Sequence, residues 1–260
     1  MQHIAIDVGG RESHVCIRQA DGSVVKQQRV QTQGLKAILR RTPPGRVLME
    51  TSAEAFGVAD VARANGHEVR VVPATMVKAL GVGARRIKTD RRDAEVLSEV
   101  SCRIDLPSVH VPSATSRERK SAIGAREALV QARTSLINNV RGWLRTQLVK
   151  VPSGGTSSFP KRVRAKLLES PEGIPVFVDQ LLVVIETMTE HIASATKSLQ
   201  QLADSDEVCQ LLRSVPGVGG ITSLSYQASL DDISRFANAH AVESYLGLTP
   251  GEHSSGQRRR

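Results

Sequence analysis

Apolar and polar residues follow two different periods along this 260-residue chain, and the change of period divides it. From Met1 to about Val30 three short runs, HIAIDV, HVCIRQ and SVVKQQRV, carry strand character, with Ala20-Asp21-Gly22 as a hairpin turn. They predict a β-meander. A short helix near Gly34 to Arg40, the strand RVLME, a helix from about Glu54 to Ala64, the strand HEVRVV and the segment PATMVKAL come next. Such alternation after a meander predicts a mixed sheet with helices packed on its faces. Thr51 and Glu54 read as a T-x-x-E capping box that starts a helix directly after Glu50.

From Thr115 the period becomes helical. Thr115 and Glu118 supply a second capping box, opening a long helix to about Lys150. Leu129, Leu136 and Trp143 repeat at a spacing of seven, with Ile137, Val140, Leu144 and Leu148 beside them and Arg126, Arg133, Arg141 and Arg145 on other faces. The stretch VPSGGTSSFPKRVRAK is basic and rich in Ser, Gly and Pro, and reads as a mobile loop. A second helix, about Val176 to Leu202, can fold back on the first. The stripe is short and lacks clean heptads, so an antiparallel pair within the chain and a coiled coil between chains both satisfy it. Beyond Val208, LLRSVPGVGGITS places Gly217 and Gly219 in a turn between two helices, the form of a helix-hairpin-helix phosphate clamp. A short helix, AHAVESYLGL, leads into TPGEHSSGQRRR, which holds Ser254 and Ser255. The expected domains are 1–112 (α/β), 113–205 (helical, with the basic loop) and 206–260 (small and helical).

Composition narrows the partner. Net charge is +9 and the isoelectric point near 9.9, which points to a polyanion, nucleic acid first. Aromatic residues make up only 3%, against single-strand modules that stack bases and in favour of phosphate contact. Cys16, Cys102 and Cys209 follow no ligand spacing, so neither a disulfide framework nor a zinc finger is expected. No apolar run reaches membrane-spanning length and no signal peptide opens the chain; the expectation is a soluble, cytoplasmic protein.

The candidate chemistry lies in four acids. Asp7 ends the first strand, Glu50 ends RVLME, and Asp90 and Asp93 stand three residues apart in TDRRDAEVL, on one helical face. Carboxylates delivered from two strand ends and a helix suit a hard divalent cation, such as Mg2+, for work on phosphodiesters. Plainer readings compete: a solvated acid at a strand end, and acids complementing a helix dipole. Arg85, Arg86, Lys88, Arg91 and Arg92 set a dense positive run beside the paired Asp, suited to holding phosphate or simply solvated. Lys161, Arg162 and Arg164 add a second basic segment.

These motifs together resemble the DEDD-type insertion-sequence transposases of the IS-one-ten group, bridge-RNA-guided DNA recombinases. IAIDVGG resembles the family's first Asp strand, VLMETSAEAFG its Glu, and ARRIKTDRRDAEVLSE its paired-Asp segment. The long helices resemble its coiled-coil insert, and LLRSVPGVGGITS with RFANAHAVESYLGLTPGEHSSG its C-terminal transposase domain. The resemblance implies an α/β, ribonuclease H-like (RuvC-like) domain in which Asp7, Glu50, Asp90 and Asp93 hold magnesium. It implies a serine nucleophile falling on Ser255, with Ser254 the alternative, and DNA, a structured guide RNA and further copies of the chain as partners. Gly9-Gly10-Arg11 departs from relatives that carry a Lys there. Relatives also continue past Arg260 through a basic helix beside the serine, so the expectation is a C-terminally truncated chain of weak or absent activity. A nuclease or resolvase using the four acids without the serine, and a binding remnant without turnover, are the competing readings. A sugar-kinase-like ATPase would need a second Asp-Gly phosphate loop and an adenosine motif, and the sequence has neither.

Overall fold

The computed structural model describes residues 1–79, 90–169, 171 and 173–248, without the side chains of 78, 79, 90 and 91. The expectations for Arg85, Arg86, Lys88, Ser254 and Ser255, and for the side chains of Asp90 and Arg91, lie outside the described residues. The chain forms two units, Met1–Pro112 and Ser113–Arg260.

In the first unit the meander is β1 (His3–Asp7), β2 (Glu12–Arg18) and β3 (Val24–Gln31). After it come α1 (Leu35–Arg41), β4 (Arg46–Glu50), α2 (Ala55–Ala64), β5 (Glu68–Val72), α3 (Ala74–Ala79) and α4 (Asp90–Arg103). The sheet order is β3-β2-β1-β4-β5, antiparallel through the meander and parallel from β1 to β4 to β5. It is the mixed sheet that the alternation of strand and helix patterns predicts. Successive side chains of β1 enter opposite layers: Ile4 and Ile6 meet α1 and α2 through Leu35, Leu39, Val58 and Ala59, while Ala5 meets Leu97 of α4 on the other face. Coverage on both faces explains why β1 and β4 read as unbroken apolar runs. Each fully buried aliphatic there contributes about 1.5–3 kcal/mol.

The expected capping box at Thr51 and Glu54 does not form. The Ala55 amide donates to Ser52 Oγ at 3.2 Å, and α2 begins at Ala55 without a side-chain bond from its N-cap, Glu54. Thr51 is taken by the sheet instead: its N–H and Oγ1 donate to the Val72 carbonyl at 3.0 and 3.1 Å.

The second unit holds α5 (Ala114–Thr146), α6 (Phe159–Leu167), α7 (Val176–Asp204), α8 (Glu207–Leu212), α9 (Gly220–Leu230) and α10 (Ala239–Tyr245). The long helix is capped by Ser113, whose Oγ accepts from the Ser116 amide at 3.1 Å; Thr115 lies inside the helix, so the second capping box fails as well. The basic stretch expected as a mobile loop contains α6. Its apolar residues recur every four positions and bury Phe159, Val163 and Leu167 against α7 and the end of α5.

Two hydrogen bonds set the register between α5 and α7: Arg126 Nε donates to Thr196 Oγ1 at 2.8 Å, and Arg133 Nη1 to Thr189 Oγ1 at 3.3 Å. The helices therefore run antiparallel, and the same register sets Ile137 opposite Ile185, Val140 opposite Leu182 and Leu144 opposite Val178, all buried. The seam is heptad-like, with arginines at two of its positions. Leu136 and Trp143, expected at the centre of the stripe, pack only at its margin. Among the described residues no helix is long and apolar enough to cross a membrane.

Candidate catalytic site and nucleic-acid interface

Asp7 and Glu50 end strands that lie side by side and parallel, one step past the paired residues Ile6 and Met49. Both are half-buried. The backbone leaving each is tied down. Beyond Glu50, Thr51 is bonded to β5 as described; beyond Asp7, Ser13 Oγ bonds Thr32 Oγ1 at 2.8 Å and Thr32 Oγ1 donates to the Gly9 carbonyl at 2.6 Å. Gly9 is required there: a Cβ would stand 2.4 Å from the Glu12 carbonyl oxygen. Gly9 thus serves a close backbone approach at the β1–β2 turn.

Asp93 comes from α4, and three contacts fix how that helix lies. Ser101 Oγ is 2.6 Å from His3 Nδ1, while Ser98 Oγ accepts from Arg18 Nε at 3.2 Å and donates toward Cys16 Sγ at 3.3 Å. His3 pairs with Arg18 and Ala5 with Cys16, so α4 runs antiparallel to β1. From Ser101 back to Asp93 the helix rises about 12 Å, and from His3 to Asp7 the strand spans about 13 Å. Asp93 therefore reaches the level of Asp7, half-buried, beside the buried Ala94.

Among the described residues no three His, Cys, Asp or Glu side chains form a group placed to hold a metal ion, so Asp7, Glu50 and Asp93 alone are not an ion cage. The fourth acid of the expected set, Asp90, opens α4. The donors are all hard oxygens, which in type suit Mg2+ rather than a softer metal.

The basic candidates divide. Arg92 and Lys161 are exposed. Arg164 is occupied within the chain: Nε donates to Asp179 at 2.9 Å and Nη1 pairs with Glu186. Its hydrogen bonds to Glu186 and then Asp179 hold the guanidinium even more firmly protonated than usual. Arg162 closes the loop before α6, donating to the Pro152 and Gly155 carbonyls at 3.1 and 3.0 Å. Neither use is legible in the sequence, because the partners are distant carboxylates or backbone carbonyls. The PGVGG turn does lie between α8 and α9, with Gly217 at φ 88° and Gly219 as the N-cap of α9.

Comparison with known proteins follows the same segments. A family profile described as Transposase, of the DEDD type, matches residues 4–148, and one described as Transposase IS116/IS110/IS902 family matches residues 209–260. The transposase for insertion sequence element IS1111A of Coxiella burnetii is 26% identical, over 98% of this chain and 70% of its own length. A probable family 20 transposase of Pseudomonas aeruginosa is 29% identical, over 91% of this chain and 70% of its own length. The transposase for insertion sequence element IS1328 of Yersinia enterocolitica is 27% identical, over 97% and 75%. With its DEDD-type region covering the whole sheet and the start of the helical unit, and its last segment matching the second profile, the chain belongs to the IS110 family of DNA transposases.

Proposed function

We propose that this transposase cuts and rejoins DNA through a ribonuclease H-like acidic centre of Asp7, Glu50, Asp90 and Asp93, with Ser255 as nucleophile and a structured RNA as guide. The observation that carries the acidic centre is the shared level of Asp7, Glu50 and Asp93 on two parallel strands and an antiparallel helix. These carboxylates would hold Mg2+, which when bound lowers the charge a nucleophile meets at a phosphate. The strand ends keep Asp7 and Glu50 rigid, so orientation is set before substrate arrives. Ser255 Oγ forms a bond to phosphorus while the bond from phosphorus to the leaving deoxyribose oxygen breaks; the hydroxyl proton passes to solvent and the leaving oxygen gains one. That role, the guide RNA and an oligomeric assembly rest on the resemblance of HSSG and its surroundings to the family. Arg92, Lys161 and the amides around Gly217 and Gly219 serve phosphate contact in this reading, with Arg85, Arg86, Lys88 and Arg91 alongside.

The test incubates the protein with Mg2+, DNA spanning the element's ends and RNA transcribed from the DNA adjoining the reading frame, then denatures and looks for a protein–DNA adduct. The adduct is expected with the intact chain and with Ser254→Ala, and disappears with Ser255→Ala. Its disappearance with Ser254→Ala alone overturns the serine assignment. Metal-dependent cutting that survives both substitutions replaces it with a nuclease.

A further inference from the structure

Leu148 is 94% exposed, more than any other large apolar side chain among the described residues. It also occupies the left-handed region, at φ 56°. Its N–H donates to the Arg145 carbonyl at 3.1 Å and the Val149 N–H to the Leu144 carbonyl at 2.9 Å, the two bonds of a Schellman ending, where glycine is the usual residue. A leucine there strains the backbone and leaves its own side chain in water, so packing does not account for it.

Its surroundings do. Leu148, Val149 and Lys150 form a ridge between two clefts of about 440 and 620 Å³ at the end of the helix pair. The first cleft is lined by Arg141, Arg145, Lys150 and Arg162 over an apolar floor of Leu144 and Phe159, and includes no Asp or Glu among the described residues. Two of the cations are held in place: Arg162 by the loop carbonyls, and Arg141 by the Phe159 ring, 5.3 Å from its centroid. The second cleft adds Lys166, and among the described residues its one acid, Glu169, is bonded to that lysine at 2.5 Å. Four positive side chains, two of them held in place, around a cleft with no acid among its described residues make a site for phosphates.

We infer that this tip grips duplex DNA: Arg141, Arg145, Lys150 and Arg162 take backbone phosphates, and Leu148 enters the minor groove as an apolar wedge. Proteins that bend DNA combine these two elements, cations on the backbone and one aliphatic side chain pressed between base steps. The inference rests on the chain's reading as a DNA transposase and adds to it a contact surface remote in sequence from the four acids.

The test is fluorescence anisotropy of a labelled duplex of about 20 base pairs containing TA steps, which unstack readily, titrated with the full chain at several salt concentrations. Every phosphate that a variant no longer neutralises makes the slope of log affinity against log salt shallower by about 0.9. Arg145→Gln/Lys150→Gln is expected to flatten it by about 1–2, and adding Arg141→Gln by about 2–3. Leu148→Gly is expected to weaken binding about tenfold with the slope unchanged, while the melting temperature holds or rises. A control that removes equal charge from exposed positions of the other unit, Lys36→Gln/Arg40→Gln/Arg41→Gln, is expected to change the slope less. A wild-type slope in the tip variants, or an equal flattening in the control, overturns the phosphate site. Wild-type affinity in Leu148→Gly overturns the wedge. An RNA duplex of equal length bound with the same dependence on Leu148 gives the surface to RNA and overturns the DNA assignment. Failure of the wild-type protein to bind any duplex overturns the tip site alone, and a protein–DNA adduct formed in the presence of the guide RNA leaves the proposed function standing.

Discussion

Asp7 and Glu50 end adjacent parallel strands at the same level, one residue past the pair Ile6 and Met49. Replacing Glu50 by glutamine keeps the shape of the side chain and removes one carboxylate from the proposed metal site. Glu50→Gln is therefore expected to leave the stability of the metal-free protein within about 1 kcal/mol of its starting value. If the proposed magnesium site exists, millimolar MgCl2 raises the melting temperature of the intact chain through binding to the folded state, and the same substitution should abolish that rise. Differential scanning fluorimetry with and without MgCl2 measures both effects. A variant that keeps the full magnesium shift removes Glu50 from the metal site.

Asp231 ties the end of α9 to the start of α5. Its carboxylate accepts from the Ser113 N–H at 2.9 Å and from the hydroxyls of Ser113 and Ser116 at 2.6 Å each, while its backbone is held at φ 58°, ψ −92°. Asp231→Ala is expected to destabilise by about 2–4 kcal/mol, since it strips three donors of a charged partner. Asp231→Asn should recover part of that stability. Urea denaturation followed by helical circular dichroism gives the numbers, and a change under about 0.5 kcal/mol for Asp231→Ala would show the carboxylate to be dispensable.

His3 is buried and bonded to Ser101, and burial first, then Arg46, push its pKa below the ordinary imidazole value. The unfolded chain thus takes up a proton at higher pH than the folded one. The stability due to neutral His3 is complete above about pH 6.5 and declines as pH falls from there through the lowered folded value. Urea midpoints between about pH 8 and 5 should drop over that window, and His3→Gln should flatten the pH dependence. An unchanged profile in the variant would move the cause elsewhere.

Much of the first unit is legible in the sequence because its signals are local. Strand and helix periods appear as runs of residue types, so the meander and the later alternation predict the sheet, and Asp7 and Glu50 are visible as strand-end acids. The position of Asp93 relative to Asp7 is not: it follows from Ser98 and Ser101 meeting β2 and β1, through pairs of residues 80 and 98 positions apart. Hydrophobic patterning likewise hides the α5–α7 seam, because Arg126 and Arg133 fill positions that an apolar template expects and are accepted there by threonines of the partner helix.

By itself, then, the sequence determined the strands of the first unit, the two long helices of the second and the basic charge, and it marked Asp7 and Glu50 as strand-end acids, since each depends on a residue and its near neighbours. Tertiary structure decided which hydroxyl caps which helix, which arginines are spent on internal acids and which remain for a ligand. Ser113 rather than Thr115 caps α5, Arg164 is consumed by Asp179 and Glu186, and Arg145 and Lys150 line a cleft with no acid among its described residues. The physical reason is common to all three: a polar side chain's role is set by the partner within about 3 Å of it, and a chain of this length brings that partner from anywhere along its course.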